Sequence, residues 1–61
     1  MNLLYCLDSN YNIQGLNSIN SILDKVNKKL NFYIIHNSPY KFEQMVKKLT
    51  SYKEHNFNFY Q

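Results

Sequence analysis

The side chains that could bind a ligand stand at two points along the chain. Asp8, Asn10 and Tyr11 follow one short apolar run, and His36 and Asn37 follow another. If the two runs are strands of one parallel sheet, their carboxyl ends lie at the same edge, which is where open α/β sheets bind ligands. The sequence therefore predicts a ligand site at this edge, centred on the first group and completed by the second.

A glycine-rich loop is not expected to bind a phosphate at this site. The fingerprints GxGxxG and GxxxxGK[ST] need several glycines, and the chain has one. Side chains would have to hold any nucleotide, and its diphosphate would need a separate source of positive charge, usually a metal ion. Of the remaining reactive residues, we interpret Cys6 as a small buried hydrophobic residue and His55 as a surface residue.

A structural interpretation of the same residues stands beside the functional one. Asp8 and Asn10 are types that commonly cap helices. Tyr11 can equally be a core residue, and His36 an ordinary loop residue. The residues alone leave both interpretations open.

The elements that must position these side chains follow from the apolar pattern. Asn2–Leu7 is a nearly unbroken apolar run, typical of a strand covered on both faces. An apolar stripe with a spacing of three and four residues then predicts a helix of about four turns, formed by Ile13, Leu16, Ile19, Ile22, Leu23 and Val26. Gly15 interrupts this helix, where glycine allows close approach of another segment.

The second half of the chain repeats the alternation. The run FYII, residues 32–35, predicts a second strand. Pro39 suits the first position of a helix, which the spacing of Phe42, Met45, Val46 and Leu49 extends to near Ser51 or Tyr52. The alternating segment NFNFYQ, residues 56–61, predicts an edge strand.

The order strand, helix, strand, helix, strand predicts one α/β unit over residues 1–61. Helices between the strands imply parallel pairing through right-handed crossovers. We expect a three-stranded sheet in the order 3-2-1, which is half of a doubly wound, Rossmann-like domain. The first strand looks like an interior strand but has one open edge. We therefore expect the chain to be the opening part of a larger protein, and to self-associate through that edge.

Composition narrows the class of protein. The 61 residues carry seven Lys, no Arg and a net charge of +3. Base-specific recognition of nucleic acid is not expected, because it relies on the bidentate contacts of Arg. One Cys excludes an internal disulfide, and no apolar run is long enough for a transmembrane helix. Without a secretory signal, we expect a cytoplasmic location.

The stretch LLYCLDSNYNIQGLNSINSIL resembles the opening of glycosyltransferase family 8 and its GT-A relatives. Those proteins begin with an apolar strand, continue with Asp-x-Asn-Tyr and enter a helix with a Ser-Ile-x-Ser-Leu-like pattern. The residues that match are Asp8, Asn10, Tyr11, Ser18, Ile19, Ser21 and Ile22. The segments FYIIH and NFNFY also fall where that family places its next two strands, so the resemblance covers essentially the whole chain. Its most specific part is LDSNY.

The resemblance implies a UDP-sugar donor and the transfer of a hexose to an acceptor. By that analogy, Asp8 would accept the hydrogen of a uracil ring nitrogen and Tyr11 would stack on the uracil face. Asn10 would reach the ribose or the diphosphate, and Leu7 would offer backbone groups beside the base. Asp8, Tyr11, Asn10 and Leu7 are thus the predicted nucleotide-binding residues.

One departure from the family is large. Its members hold the diphosphate through a divalent metal, typically manganese, bound by a DxD motif, whereas Asp8 and Asp24 are the only aspartates here. We expect weak donor binding, no metal held by this chain, and no transferase activity from it alone. The alternative is a small basic interaction module that pairs through an exposed sheet edge.

Overall fold

The computed structural model describes residues 2–61 of the chain. These residues form a parallel α/β unit of three strands and two helices, with single 3₁₀ turns at Ser9–Tyr11 and Tyr52–Glu54. The five main elements are β1 (Asn2–Leu7), α1 (Asn12–Leu23), β2 (Asn31–His36), α2 (Pro39–Val46) and β3 (Asn56–Tyr60). The predicted α/β class, the three parallel strands and the two helices are confirmed.

The sheet runs β1-β2-β3, so β2 lies in the middle. Both neighbours pair with it in parallel, and Phe32 lies between Leu3 on one side and Phe57 on the other. The same register sets Leu7 opposite His36. The carboxyl ends of β1 and β2 therefore finish level, and the two loops that follow them start side by side.

One face of the sheet and the two helices enclose the core. Alternate residues of β2 are completely buried on that face, ending with His36 at 2% exposure. The apolar core is formed by Ile19, Leu23, Leu30, Phe32, Ile34, Phe42 and Val46. Phe32 stacks on Phe57 with ring centroids 4.7 Å apart, which ties β2 to β3 through side chains as well as backbone.

Most residues of the two predicted helical stripes pack in or against the core. Ile19 and Leu23 of α1 are buried, but Ile13 is 61% exposed, so its assignment to the stripe was wrong. Asn12 directs its side chain to the ring of His36, and the next residue on a helix points about 100° away. The second helix ends at Val46, earlier than predicted, because tighter turns follow it.

Within residues 2–61 the sheet is covered on one face, which corrects the expectation for the first strand. Along β1, half-buried and exposed residues alternate. Cys6 lies on the open side and is exposed, so its interpretation as a buried residue was wrong. In the described part of the chain, neither helix has the length and apolarity that a membrane crossing requires.

His55 is not the plain surface residue that the sequence predicts. It closes the amino end of the sheet. Its Nδ1 accepts a hydrogen bond from the Leu30 N–H at 3.0 Å, and its ring meets Phe32 edge-on. The Leu30 carbonyl in turn accepts from the Asn56 N–H at 2.9 Å. These contacts fix the start of β3 against the start of β2.

Replacing Phe42 by Ala should abolish cooperative unfolding. Phe42 is fully buried between His36 and Phe59, and Phe→Ala in a core costs about 3–5 kcal/mol. That equals the whole stability expected of a chain this short, roughly 3–5 kcal/mol. Tyr40→Ala on the same helix is the matched control, because Tyr40 is 73% exposed.

Urea titration followed by circular dichroism checks this. The control should keep the wild-type transition to within about 0.5 kcal/mol, as is usual for surface positions. A Phe42→Ala protein with a transition close to the wild-type midpoint would contradict the assigned core.

Candidate functional site

The imidazole of His36 joins three elements at the carboxyl edge of the sheet. Its Nδ1 accepts a hydrogen bond from the Ser38 N–H at 2.7 Å, so Nε2 carries the proton and donates to Asn12 Oδ1 at 2.6 Å. The ring also stacks on Phe42, with centroids 5.1 Å apart. One buried side chain thus links the end of β2 with the first turns of α1 and α2. We call this arrangement the histidine clasp.

A second link lies beside the histidine clasp, on the solvent side. Asn37 Oδ1 accepts hydrogen bonds from both the N–H and the hydroxyl of Ser9, each at 3.1 Å. The side-chain amide of Gln61 donates to the Asn37 carbonyl at 3.5 Å. The loop after β1 is therefore held against the loop after β2, as expected for residues at one sheet edge.

These links border an open groove of about 830 Å³ along β1 and its following loop. Its size is within the range of small-molecule sites in proteins, roughly 300–1,000 Å³. The lining residues are Tyr5, Cys6, Leu7, Asp8, Tyr11, Gln14, Gly15, Ser18, Ile35, His36, Asn37 and Gln61. Of the four predicted nucleotide-binding residues, the structure brings Leu7, Asp8 and Tyr11 together in this groove.

Asn10 is the predicted residue that does not line the groove. It is exposed, and its backbone N–H donates to Asp8 Oδ1 at 2.9 Å. Asp8 therefore caps the 3₁₀ turn that follows it, as the structural interpretation proposed. A carboxylate has about four lone-pair sites, so one bond leaves the capacity to accept from a ligand.

The 3₁₀ turn also sets Tyr11 relative to Asp8. The Tyr11 N–H donates to the Asp8 carbonyl at 3.0 Å. The Tyr11 side chain stays 55% exposed while lining the groove, so it is not the core residue that the structural interpretation allowed. An accessible aromatic ring and an accessible carboxylate therefore share one wall.

Sequence reasoning missed the part of the wall that comes from α1 and from the middle of β1. Tyr5 and Ser18 meet there through their hydroxyl oxygens at 3.0 Å, and Gln14 lines the groove one turn earlier. The signal was the helical spacing, because Gln14 and Ser18 are four residues apart on one face. Gly15 lies between them, and a Cβ there would come within 2.6 Å of a Leu7 methyl carbon.

The electrostatics of the groove are simple. Asp8 is the one formally charged side chain among the lining residues, and the other polar groups are amides, hydroxyls and the imidazole. Within residues 2–61, no three His, Cys, Asp or Glu side chains come together as metal ligands. The described residues therefore do not fit the divalent metal that the family resemblance implies, and the groove can hold a neutral polar ligand.

Comparison with known proteins gives no significant match to a protein-family model, a curated protein or a solved structure. The resemblance in LDSNY and the geometry of the groove are therefore what support a function.

Replacing His36 by Phe should lower the free energy of unfolding by roughly 1–3 kcal/mol, the cost of an unpaired buried donor. Phe keeps the stack on Phe42 but offers no acceptor to the Ser38 N–H. The Ser38 amide should then lose protection in hydrogen–deuterium exchange. Asn12→Ala is the control, because it removes one partner of the histidine clasp and leaves the Ser38 bond in place.

The exchange rate of the Ser38 amide, measured by NMR, tests whether it is bonded to His36 Nδ1. Loss of protection in the His36 variant alone supports the assigned bond. Equal protection in both variants would mean that Nδ1 is not the acceptor of the Ser38 N–H.

Proposed function

We propose that this chain is the uridine-binding portion of a nucleotide-sugar glycosyltransferase of the GT-A type, with the groove beside β1 as its base site. One observation carries the proposal: a carboxylate with unused acceptor capacity and an exposed aromatic ring, three residues apart, line the same groove at the carboxyl end of a parallel strand. Open α/β sheets bind ligands at this end. The half of a doubly wound sheet predicted from the sequence belongs to the same proposal.

The two side chains match the two parts of a uracil ring. Tyr11 offers a large flat contact that loses little conformational freedom on binding. Asp8 can accept the ring N–H with an oxygen that its cap leaves unused. The backbone of Leu7, at the end of β1, lies next to them, and Asn10 stays a predicted contact to the ribose or diphosphate.

The groove suits a nucleoside better than its diphosphate. No lysine lines it, so nothing there neutralises a phosphate, and Asp8 adds a negative charge. Stacking contributes roughly 1–3 kcal/mol and a hydrogen bond to a charged group roughly 1.5–3 kcal/mol. After the cost of association, these contributions give a dissociation constant of about 1 mM or weaker.

Titration of the ¹⁵N-labelled chain with uridine tests the proposal. Amide shifts should concentrate at residues 7–11, and Tyr11→Ala should abolish them. UDP should bind about as weakly as uridine, and manganese should change little because residues 2–61 bring no three metal-ligating side chains together. Tyr40→Ala is the matched control, since it removes an exposed tyrosine that does not line the groove.

A modified ligand separates the carboxylate contact from the stacking contact. In 3-methyluridine the ring N–H is replaced by a methyl group, so the hydrogen bond to Asp8 cannot form. We expect affinity to fall by about tenfold or more, the equivalent of 1.4 kcal/mol. Equal affinity for both nucleosides, or no shifts at residues 7–11 in a folded sample, would leave Asp8 as a helix cap only.

A second candidate function is supported by the edge of the sheet. Among the described residues, β1 pairs only with β2, and its sequence has no charge or proline that would oppose pairing. A basic interaction module that adds a strand at this edge would use main-chain hydrogen bonds. Binding of uridine at residues 7–11 favours the first candidate, and its absence favours this one.

A further inference from the structure

The face of the sheet opposite the helices carries a continuous apolar patch. Its exposed members are Leu4 at 67%, Ile35 at 42% and Tyr60 at 50%, together with Cys6. The strand register places Leu4 beside Tyr33 and Cys6 beside Ile35, with Tyr60 next in line. We call these five residues the open-face patch. Parallel sheets are almost always covered on both faces, and in residues 2–61 both helices pack on the other one.

A ladder of asparagines borders the open-face patch. Asn31 donates to Asn2 at 3.0 Å, and Asn56 donates to Asn31 at 2.8 Å. These three residues occupy matching positions on β1, β2 and β3. These two bonds satisfy part of the side-chain capacity of the ladder within the sheet, so only the remaining amide groups would lose water when another surface approaches.

The open face suits an occupant whose own contact surface is uncharged, and a second copy of the chain offers such a surface. The three strands contain no Asp, Glu, Lys or Arg, and all seven lysines belong to the helices, turns and loops. Two chains of charge +3 can therefore meet through their open faces while their cationic groups stay outside the contact. A strongly charged partner would have nothing to pair with there.

We propose that the open-face patch is a self-association surface, on which two copies pack face to face as a sandwich of two parallel sheets. Packed sheets lie about 10 Å apart, with interdigitating side chains. The proposal concerns the face of the sheet and not the unpaired edge of β1. Cys6 and Ile35 of the patch also line the groove, so the test is made without nucleotide.

The size of the face sets the strength of this contact. Three strands of about six residues cover roughly 14 by 20 Å, or about 300 Å² per copy in projection. A standard stable interface buries about 800 Å² per partner. The dimer should therefore be weak, with a dissociation constant on the order of 0.1–1 mM.

Sedimentation equilibrium of the 61-residue chain, without nucleotide, tests for this dimer. Leu4→Lys should weaken it by about tenfold or more, because a charge would enter an apolar contact. Tyr60→Lys should act in the same way, and neither residue lines the groove beside β1. Ile13→Lys is the matched control, since Ile13 is similarly exposed, at 61%, but lies on α1. Circular dichroism verifies that each variant is folded.

Cys6 reports which surface is covered, because it is the single thiol and lies within the open-face patch. Its rate of alkylation by iodoacetamide should fall with protein concentration, in proportion to the fraction of chain that is dimeric. A monomer up to millimolar concentration would overturn the proposal. A dimer in which Cys6 keeps its full reactivity and Leu4→Lys has no effect would also overturn it, and would indicate pairing through the strand edge.

Discussion

The carboxyl edge of this small sheet depends on one buried imidazole. His36 satisfies both ring nitrogens inside the fold, one with the Ser38 N–H and the other with the side chain of Asn12. An unpaired polar atom at a site this buried is costly, so the two loops that follow β1 and β2 are constrained together. The fold thus presents a preformed edge rather than two independent loops.

The groove is a consequence of that constraint. The 3₁₀ turn after β1 is held by the Asp8 cap on one side and by Asn37 on the other. Tyr11 extends from the end of this turn, exposed and beside the carboxylate. Because the turn that carries both groups is held before a ligand arrives, binding does not have to include the cost of ordering its backbone. A site with so few contacts needs this preorganisation to bind at all.

Because the described residues form only two helices, one face of the sheet has no cover. With two crossovers in a sheet ordered β1-β2-β3, both helices pack on one face, and the other keeps Leu4 exposed in the middle of an uncharged surface. The chain therefore presents two unlike surfaces. The groove combines an apolar wall with one carboxylate, amides and hydroxyls, whereas the open face is apolar and uncharged; the two surfaces meet at Cys6 and Ile35.

Much of the fold could be predicted from the sequence, because the apolar periods of the strands and helices are clear. The exposure of Leu4 could not be predicted, since an unbroken apolar run looks the same whether one face of a strand or both are covered. Asp8 and Tyr11 were found because they follow a strand directly. Tyr5 and Ser18 were missed, because only the packing of α1 beside β1 brings their hydroxyls together. The structural role of His36 could not be predicted either, because it depends on the hydrogen-bond partners that the fold gives to its two ring nitrogens.

Intermolecular nuclear Overhauser effects between uridine and the labelled chain test the central claim most directly. They locate the base, whereas an affinity alone does not. If the preformed edge binds uracil, the H5 and H6 protons of the base should show contacts to the ring protons of Tyr11. Contacts to Tyr33 or Tyr60 instead would place the ligand on the open face and contradict the assignment of the groove.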